Sequence, residues 1–339
     1  MRYKLLLFLF VLTTKSLLAQ DCASIFSDSS TLQMTLEYPF DELNSDIGQY
    51  PAYHSVILRY VDGEGRIFTI NAEAKARGLF RKKASNCSQP PLLIKFQEVE
   101  VVSTIFQNLE KVKLVVPCMH SDYYNQLVVK EYLVYKLYNL ITPYSYRVRL
   151  VNLKLVDEFS NKSYTAYAFL IEPKELLAQR LNGVILNKKN YHPNACNKER
   201  TTIMSLFQLM VGHTDWSIKA LHNITLLEPE PYAPPIPIPY DFDFCGFVNA
   251  PYALPAEHLP INSVKKRYFN GYCRTKDQFY SAFELFFDKR QDILSIINSS
   301  VELNEKQKSE AKKYIEGFYK ILNKPNLVKS KILKACRTD

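Results

Sequence analysis

Glycine is scarce in this chain, with 9 residues in 339 against 23 tyrosines and 20 phenylalanines. That balance argues against disorder and fits a packed globular chain. No GxGxxG loop occurs, so any phosphate contact has to be built some other way. No GxSxG element occurs either, which leaves Ser217, beside His213 and Asp215, without the setting of a hydrolase nucleophile. There is no CxxC pair or Cys/His cluster to hold zinc. Beyond the first twenty residues no run is apolar enough to span a bilayer. Internal repeats and long low-complexity tracts are absent. The formal charge is +9, or +6 without Arg2, Lys4 and Lys15, a modest excess that favours acidic partners weakly. No aromatic-interleaved basic stripe accompanies it, so nothing points to nucleic acid.

Residues 1–20 have the form of a signal peptide. Arg2 and Lys4 give a positive start, Leu5 to Leu12 an apolar stretch too short for a transmembrane helix, and Ala19 a cleavage point before Gln20. The expectation is export to the periplasm, the cell surface or the medium. Cys22 would suggest a lipid anchor, but Asp21 before it departs from a lipobox. All seven cysteines follow residue 20, and export permits disulfides. Cys87 precedes the apolar run Pro91–Phe96, and Cys118 follows Val112–Val116. If those runs pair antiparallel, the two sulfurs meet at one sheet end.

The remaining ~320 residues suffice for one two-lobed domain or two ordinary ones. Strand-like runs appear near Leu32–Tyr38, at His54–Val61 and Arg66–Ala74 around the turn Asp62-Gly63-Glu64-Gly65, and at Leu92–Phe96 and Val112–Val116. Helical spacing follows over Asn125–Leu140, then strands at Tyr146–Val156 and Thr165–Ile171. Glu172-Pro173-Lys174 is a connector. After it come helices at Glu175–Leu181 and Arg200–Gly212, a strand at Asn223–Leu227, a proline-rich bend at Pro229–Pro239, and amphipathic helices at Arg274–Asn298, Asn304–Leu322 and Pro325–Cys336. The expected fold is α+β and protein-kinase-like: a sheet-rich N-lobe over 21–172 with one inserted helix, and a mainly helical C-lobe over 173–339.

Two segments carry chemistry: Gly212 to Asn223, and Tyr240-Asp241-Phe242-Asp243-Phe244-Cys245-Gly246. Each sets acidic or amide oxygens among apolar residues, where an unpaired carboxylate costs several kcal/mol. A cation such as Mg²⁺ on nucleotide phosphates would relieve that cost. In phosphoryl transfer the protein supplies in-line positioning and cations that absorb charge. On that scheme Asp215 orients the acceptor hydroxyl and takes its proton. Asn223, Asp241 and Asp243 hold the metal, Lys113 neutralises phosphate, and Glu131 on the inserted helix fixes that lysine. Lys95 is a rival for the lysine.

The ordered set Arg77-Gly78 after a strand, Lys113, Glu131, Asp215 to Asn223 and Asp241-Phe242-Asp243 resembles the spore-coat CotH-type kinase family. It is more distantly similar to HipA-like kinases. The resemblance spans roughly residues 50–275. It implies an atypical kinase fold, ATP with Mg²⁺ or Mn²⁺, Arg77 at the nucleotide, and phosphorylation of protein hydroxyls; the expected function is an exported kinase acting on a protein or glycan hydroxyl. Arg77-Gly78-Leu79-Phe80-Arg81 stands where those kinases carry Arg-Gly-Ser-Ser, and the gap from Asp215 to Asn223 exceeds the usual catalytic loop.

Plainer roles compete with each assignment. Asp215 could cap a turn. Asp241 and Asp243 could line an exposed strand or hold calcium. Lys113 could be a solvated strand lysine and Glu131 a surface helix acid. Lys265-Lys266-Arg267 is either a solvated charge run or a site for acidic peptide. Trp216 is expected to pack in the core beneath the loop. A catalytically inactive domain serving as a surface or periplasmic binding module is the alternative function.

Overall fold

The computed structural model describes residues 25–83 and 85–338. The expected signal peptide and Cys22 lie outside those residues. The chain runs β1 (Leu32–Tyr38), α1 (Phe40–Ser45), β2 (His54–Val61), β3 (Ile67–Ala76), β4 (Leu92–Phe96), α2 (Glu98–Val101), β5 (Lys111–Val115), α3 (Asp122–Ile141), β6 (Val148–Asp157) and β7 (Ser163–Ile171). Then follow α4 (Lys174–Arg180), β8 (Val184–Leu186), α5 (Lys198–Val211), β9 (Ile224–Glu228), β10 (Ile236–Pro239), α6 (Lys276–Asp288), α7 (Arg290–Ser299), α8 (Glu305–Leu322) and α9 (Pro325–Val328).

The first seven strands close into a barrel in the order β1-β2-β3-β4-β5-β7-β6. This corrects the expected kinase-like lobe with an open antiparallel sheet. The closing seam is parallel: β1 lies along β6 from Leu32 opposite Val151 to Tyr38 opposite Asp157, while the other pairings are antiparallel. The physical reason lies in β1. Its residues alternate inward and outward, so Leu32, Met34, Leu36 and Tyr38 face the interior, and both hydrogen-bonding edges are taken, one by β2 and one by β6. Closure removes the free edges that an open sheet would expose. Leu36, Leu58, Ile70, Ile94, Leu114 and Leu153 fill the barrel. Beside it Cys87 and Cys118 form the disulfide expected from the antiparallel pairing of β4 with β5.

The two halves share a core instead of facing each other as separate lobes. On β6 and β7, Leu153, Leu155, Ala168 and Leu170 point into the barrel, while Val148, Leu150, Phe169 and Ile171 point outward. The outward set packs with α3, which also buries Leu133, Val134, Leu137 and Ile141 and touches α7. That core continues through α5 and the last helices.

The second half is less purely helical than expected, because β8, β9 and β10 form a three-stranded antiparallel sheet. Its strand β10 falls inside the proline-rich bend. Pro237 and Pro239 can occupy it because β10 is an edge strand and needs fewer backbone donors. The single helix expected over 274–298 breaks at Lys289 into α6 and α7. A second disulfide, Cys273–Cys336, ties the C-terminal segment to the chain before α6. Cys196 and Cys245 are buried thiols. Among the described residues no helix is long and apolar enough to cross a membrane. Two disulfides fit an oxidising compartment.

Candidate functional site

Helix α5 is buried on nearly every side and ends where Gly212 adopts the left-handed conformation at φ 68°. A Cβ on Gly212 would collide with the Tyr314 hydroxyl, so glycine is required twice over. The chain then turns outward through His213, Thr214 and Asp215. A tight bridge between Ser217 and His222, paired through both backbone amides, folds the long loop back on itself. Trp216 and Ile218 anchor it in a satellite core against Tyr272. This hairpin closes the extra residues between Asp215 and Asn223.

Asp215 is held from two sides. His222 Nε2 lies 2.9 Å from Asp215 Oδ1. The Asn223 amide donates to Asp215 Oδ2 at 3.1 Å and to its backbone carbonyl at 2.8 Å. Burial works against the Asp215 charge, but the His222 hydrogen bond and the His213 and His222 charges outweigh it, and its pKa falls below the usual carboxylate value. His222 is pushed up in turn, chiefly by its bond to Asp215. His213 faces inward, bonded to Gln208 at 3.0 Å, and burial drives its pKa down to about 4.

The second segment is a loop and not a strand. Phe242 is its anchor, wholly buried against Tyr135, Phe207 and His213. Tyr240 donates its amide to the Asn223 carbonyl at 3.1 Å, so the two segments are stitched together. Asp241 sits at φ 63°, with its amide donating to the Tyr135 hydroxyl at 2.8 Å. Among the described residues the Asp241 carboxylate enters no ion pair and accepts no hydrogen bond.

Lys113 on β5 projects toward this spot. Its ammonium lies 5.0 Å from the centre of the Tyr240 ring. Burial and the neighbouring Arg77 lower its pKa to about 8, with Asp241 pulling the other way. Lys95 points elsewhere, pairing with Glu73 at 2.9 Å. Arg77 stands at the end of β3, and its backbone amide is fixed to the Pro91 carbonyl at 2.8 Å. Its charge also reaches Tyr240 and Glu131.

Glu131 and Asp243 belong to a different cluster from the one their expected roles required. Glu131 is fully buried on α3 and makes no ion pair with Lys113 among the described residues. With Asp243, Arg81 and Tyr252 it lines a cavity of about 10 Å³, the room of one water. Burial and then Asp243 push the Glu131 carboxyl well above its ordinary range. Burial and then Asp241 raise Asp243 to about 7, and the Tyr252 hydroxyl donates to it at 3.1 Å. Arg81, whose guanidinium donates to the Val116 carbonyl, keeps its charge because Tyr252, Asp243, Glu131 and Asp241 offset the cost of burial.

So the fold brings Arg77, Lys113, Asp215, Asn223 and Asp241 within hydrogen-bond or electrostatic reach of one another, and sets Glu131 and Asp243 around a separate small cavity with Arg81. Sequence reasoning missed Tyr252, took Arg81 only as part of the Arg77–Arg81 segment, and gave His222, which flanks the loop, no role. His222 could have been found, because Asn223 was singled out and its neighbour carries the only loop imidazole that reaches back to Asp215. Arg267, from the basic run, is structural: it caps Met210 and lies 3.9 Å over the Tyr314 ring. Among the described residues no three His, Cys, Asp or Glu side chains are grouped to hold a metal. Among those residues, the oxygens at this site left without a hydrogen-bond donor are the Asp241 carboxylate and the Asn223 amide oxygen, whose nitrogen serves Asp215. Compared with models of protein families and with curated proteins, the chain matches none.

Proposed function

We propose that the protein is an exported, metal-dependent phosphotransferase that moves the terminal phosphoryl of a nucleotide, ATP by preference, to a hydroxyl of a protein or glycan. One observation carries the reading. The uncommitted Asp241 carboxylate lies within electrostatic reach of both the desolvated Lys113 and the His222 that holds Asp215. The two charges attract each other at a distance but form no ion pair among the described residues, which leaves both open to a ligand bearing both signs of charge.

Lys113 and Arg77 would bind the phosphates, taking the place of a glycine-rich loop. Asp215 would accept the proton of the attacking hydroxyl. Its two oxygens already hold His222 and Asn223, yet each keeps a further lone pair for the substrate. The hydroxyl oxygen forms a bond to the terminal phosphorus as the bond from that phosphorus to the bridging oxygen breaks. The nucleoside diphosphate leaves. Asp241 and Asn223 would hold Mg²⁺ or Mn²⁺, which neutralises charge on the phosphate oxygens.

The test is nucleotide-dependent labelling of the protein itself or of added hydroxyl acceptors, with Asp215→Asn and Asp241→Asn alongside. Each variant should fall at least ~100-fold, the scale expected when one positioned electrostatic or proton-transfer group is removed. Labelling that survives both substitutions would end the assignment. A second reading, a binding module without catalysis, is favoured by the commitment of Glu131 to the Arg81 cluster and away from Lys113. It predicts neither transfer nor stabilisation by metal plus nucleotide.

A further inference from the structure

A cavity of about 570 Å³ opens on the far side of the connector, between the C-terminal end of α3, the start of β6 and α4. That volume lies in the range of small-molecule pockets. Its apolar surface comes from Phe26, Leu140, Ile141 and Val148, and its charged lining from Lys136, Arg147 and Arg180. None of the candidate phosphotransfer residues lines it.

The charges do not balance. Glu172 beside the cavity is consumed by Arg180, which holds both carboxylate oxygens at 2.8 Å. Arg180 also donates to the carbonyls of Pro143 and Ser145, so it is a fixed strut of the wall. Asp28, next to the lining residue Ser27, is taken by Arg149 at 2.6 Å. Lys136 and Arg147 remain. Neither enters an ion pair among the described residues, and each repels the other across the cavity. Lys136 is partly buried on α3, and its pKa is lowered by burial and then by Arg147. Asn139 is held in place by its amide nitrogen, which donates to Ser145 Oγ and the Tyr146 carbonyl.

We propose that this cavity binds a small amphipathic anion, an apolar body on Leu140, Ile141 and Val148 with a phosphate or carboxylate head between Lys136 and Arg147. Two like charges facing a cavity of mixed polar and apolar lining repel each other, and an anion between them relieves that repulsion. An aryl or alkyl body of modest size fills the space that the side chains leave.

The experiment is calorimetric titration of the disulfide-bonded chain with phenyl phosphate, benzoate, inorganic phosphate and the neutral analogue benzyl alcohol. Phenyl phosphate or benzoate should saturate one site at least tenfold more tightly than either inorganic phosphate or benzyl alcohol. The comparison between the two heads separates a phosphate site from a carboxylate site. The double variant Lys136→Gln, Arg147→Gln should lose at least tenfold in that affinity while its melting temperature holds or rises. Lys113→Met should leave the affinity unchanged, which separates this site from the one proposed for the nucleotide. Equal binding by the double variant, equal binding of the neutral analogue, or no saturable binding of either aryl anion would overturn the proposal.

Discussion

Lys113 is the side chain on which energetics and chemistry pull hardest against each other. Burial brings its pKa to about 8, so the site holds an ammonium that the fold does not favour. Lys113→Met should therefore leave melting unchanged or raise it, while nucleotide binding disappears. A large loss of stability in that variant would mark the lysine as structural. His213 gives a pH test. Its pKa is about 4 in the native chain and near 6.5 when exposed, so between those values the unfolded chain binds more protons. Stability then rises with pH across that window and is lost as pH falls from about 6.5 toward 4, by up to ~3 kcal/mol from the shift alone. His213→Gln should remove that component, read as the difference between the two chains' denaturation midpoints at pH 7 and pH 4.5. Identical pH profiles for the two chains would contradict it.

At the scale of elements, barrel closure and the crosslink make separate predictions. Leu36 on β1 is fully buried, so Leu36→Ala should cost about 2–5 kcal/mol, whereas Gln33→Ala on the outer face should cost little. Replacing Cys87 and Cys118 by serine opens a crosslink across 31 residues and should cost about 3–4 kcal/mol in denaturant unfolding. Most strands were legible because their apolar residues alternate. His54–Val61 and Leu92–Phe96 were read with the bounds they have in the fold. Closure was not legible. The parallel pairing of β1 with β6 joins residues more than a hundred positions apart, and alternation says which side faces in, not which strand lies beside it. Strand β10 was hidden because Pro237 and Pro239 read as a bend, and only its edge position tolerates them. The second disulfide was missed for a like reason, since neither Cys273 nor Cys336 adjoins a strand whose partner the sequence identifies.

For the whole molecule, the continuous core through α3 decides what can move. A helix packed against barrel, α5 and α7 cannot swing freely between two lobes. The chemistry is thus expected at a preformed seam between β5 and the two loops. The same packing explains which site residues the sequence could reveal. Asp215, Asn223 and Asp241 stood out as oxygen ligands among apolar neighbours, and the fold stitches them together through Tyr240 and His222. Glu131 stood out only by its order in the chain. Arg81, which shares its cavity, lies on a loop with no periodicity to announce it.

The central claim is that Asp241, Asn223 and Lys113 form one site completed by metal and nucleotide. Its most direct test is thermal melting with Mn²⁺ and a non-hydrolysable ATP analogue, together and singly, on the parent chain and on Asp241→Asn. At ligand 100-fold above its dissociation constant, the parent should gain about 2.7 kcal/mol only when both are present, and the variant should gain nothing. An unshifted parent, or an equal shift in the variant, would contradict the account.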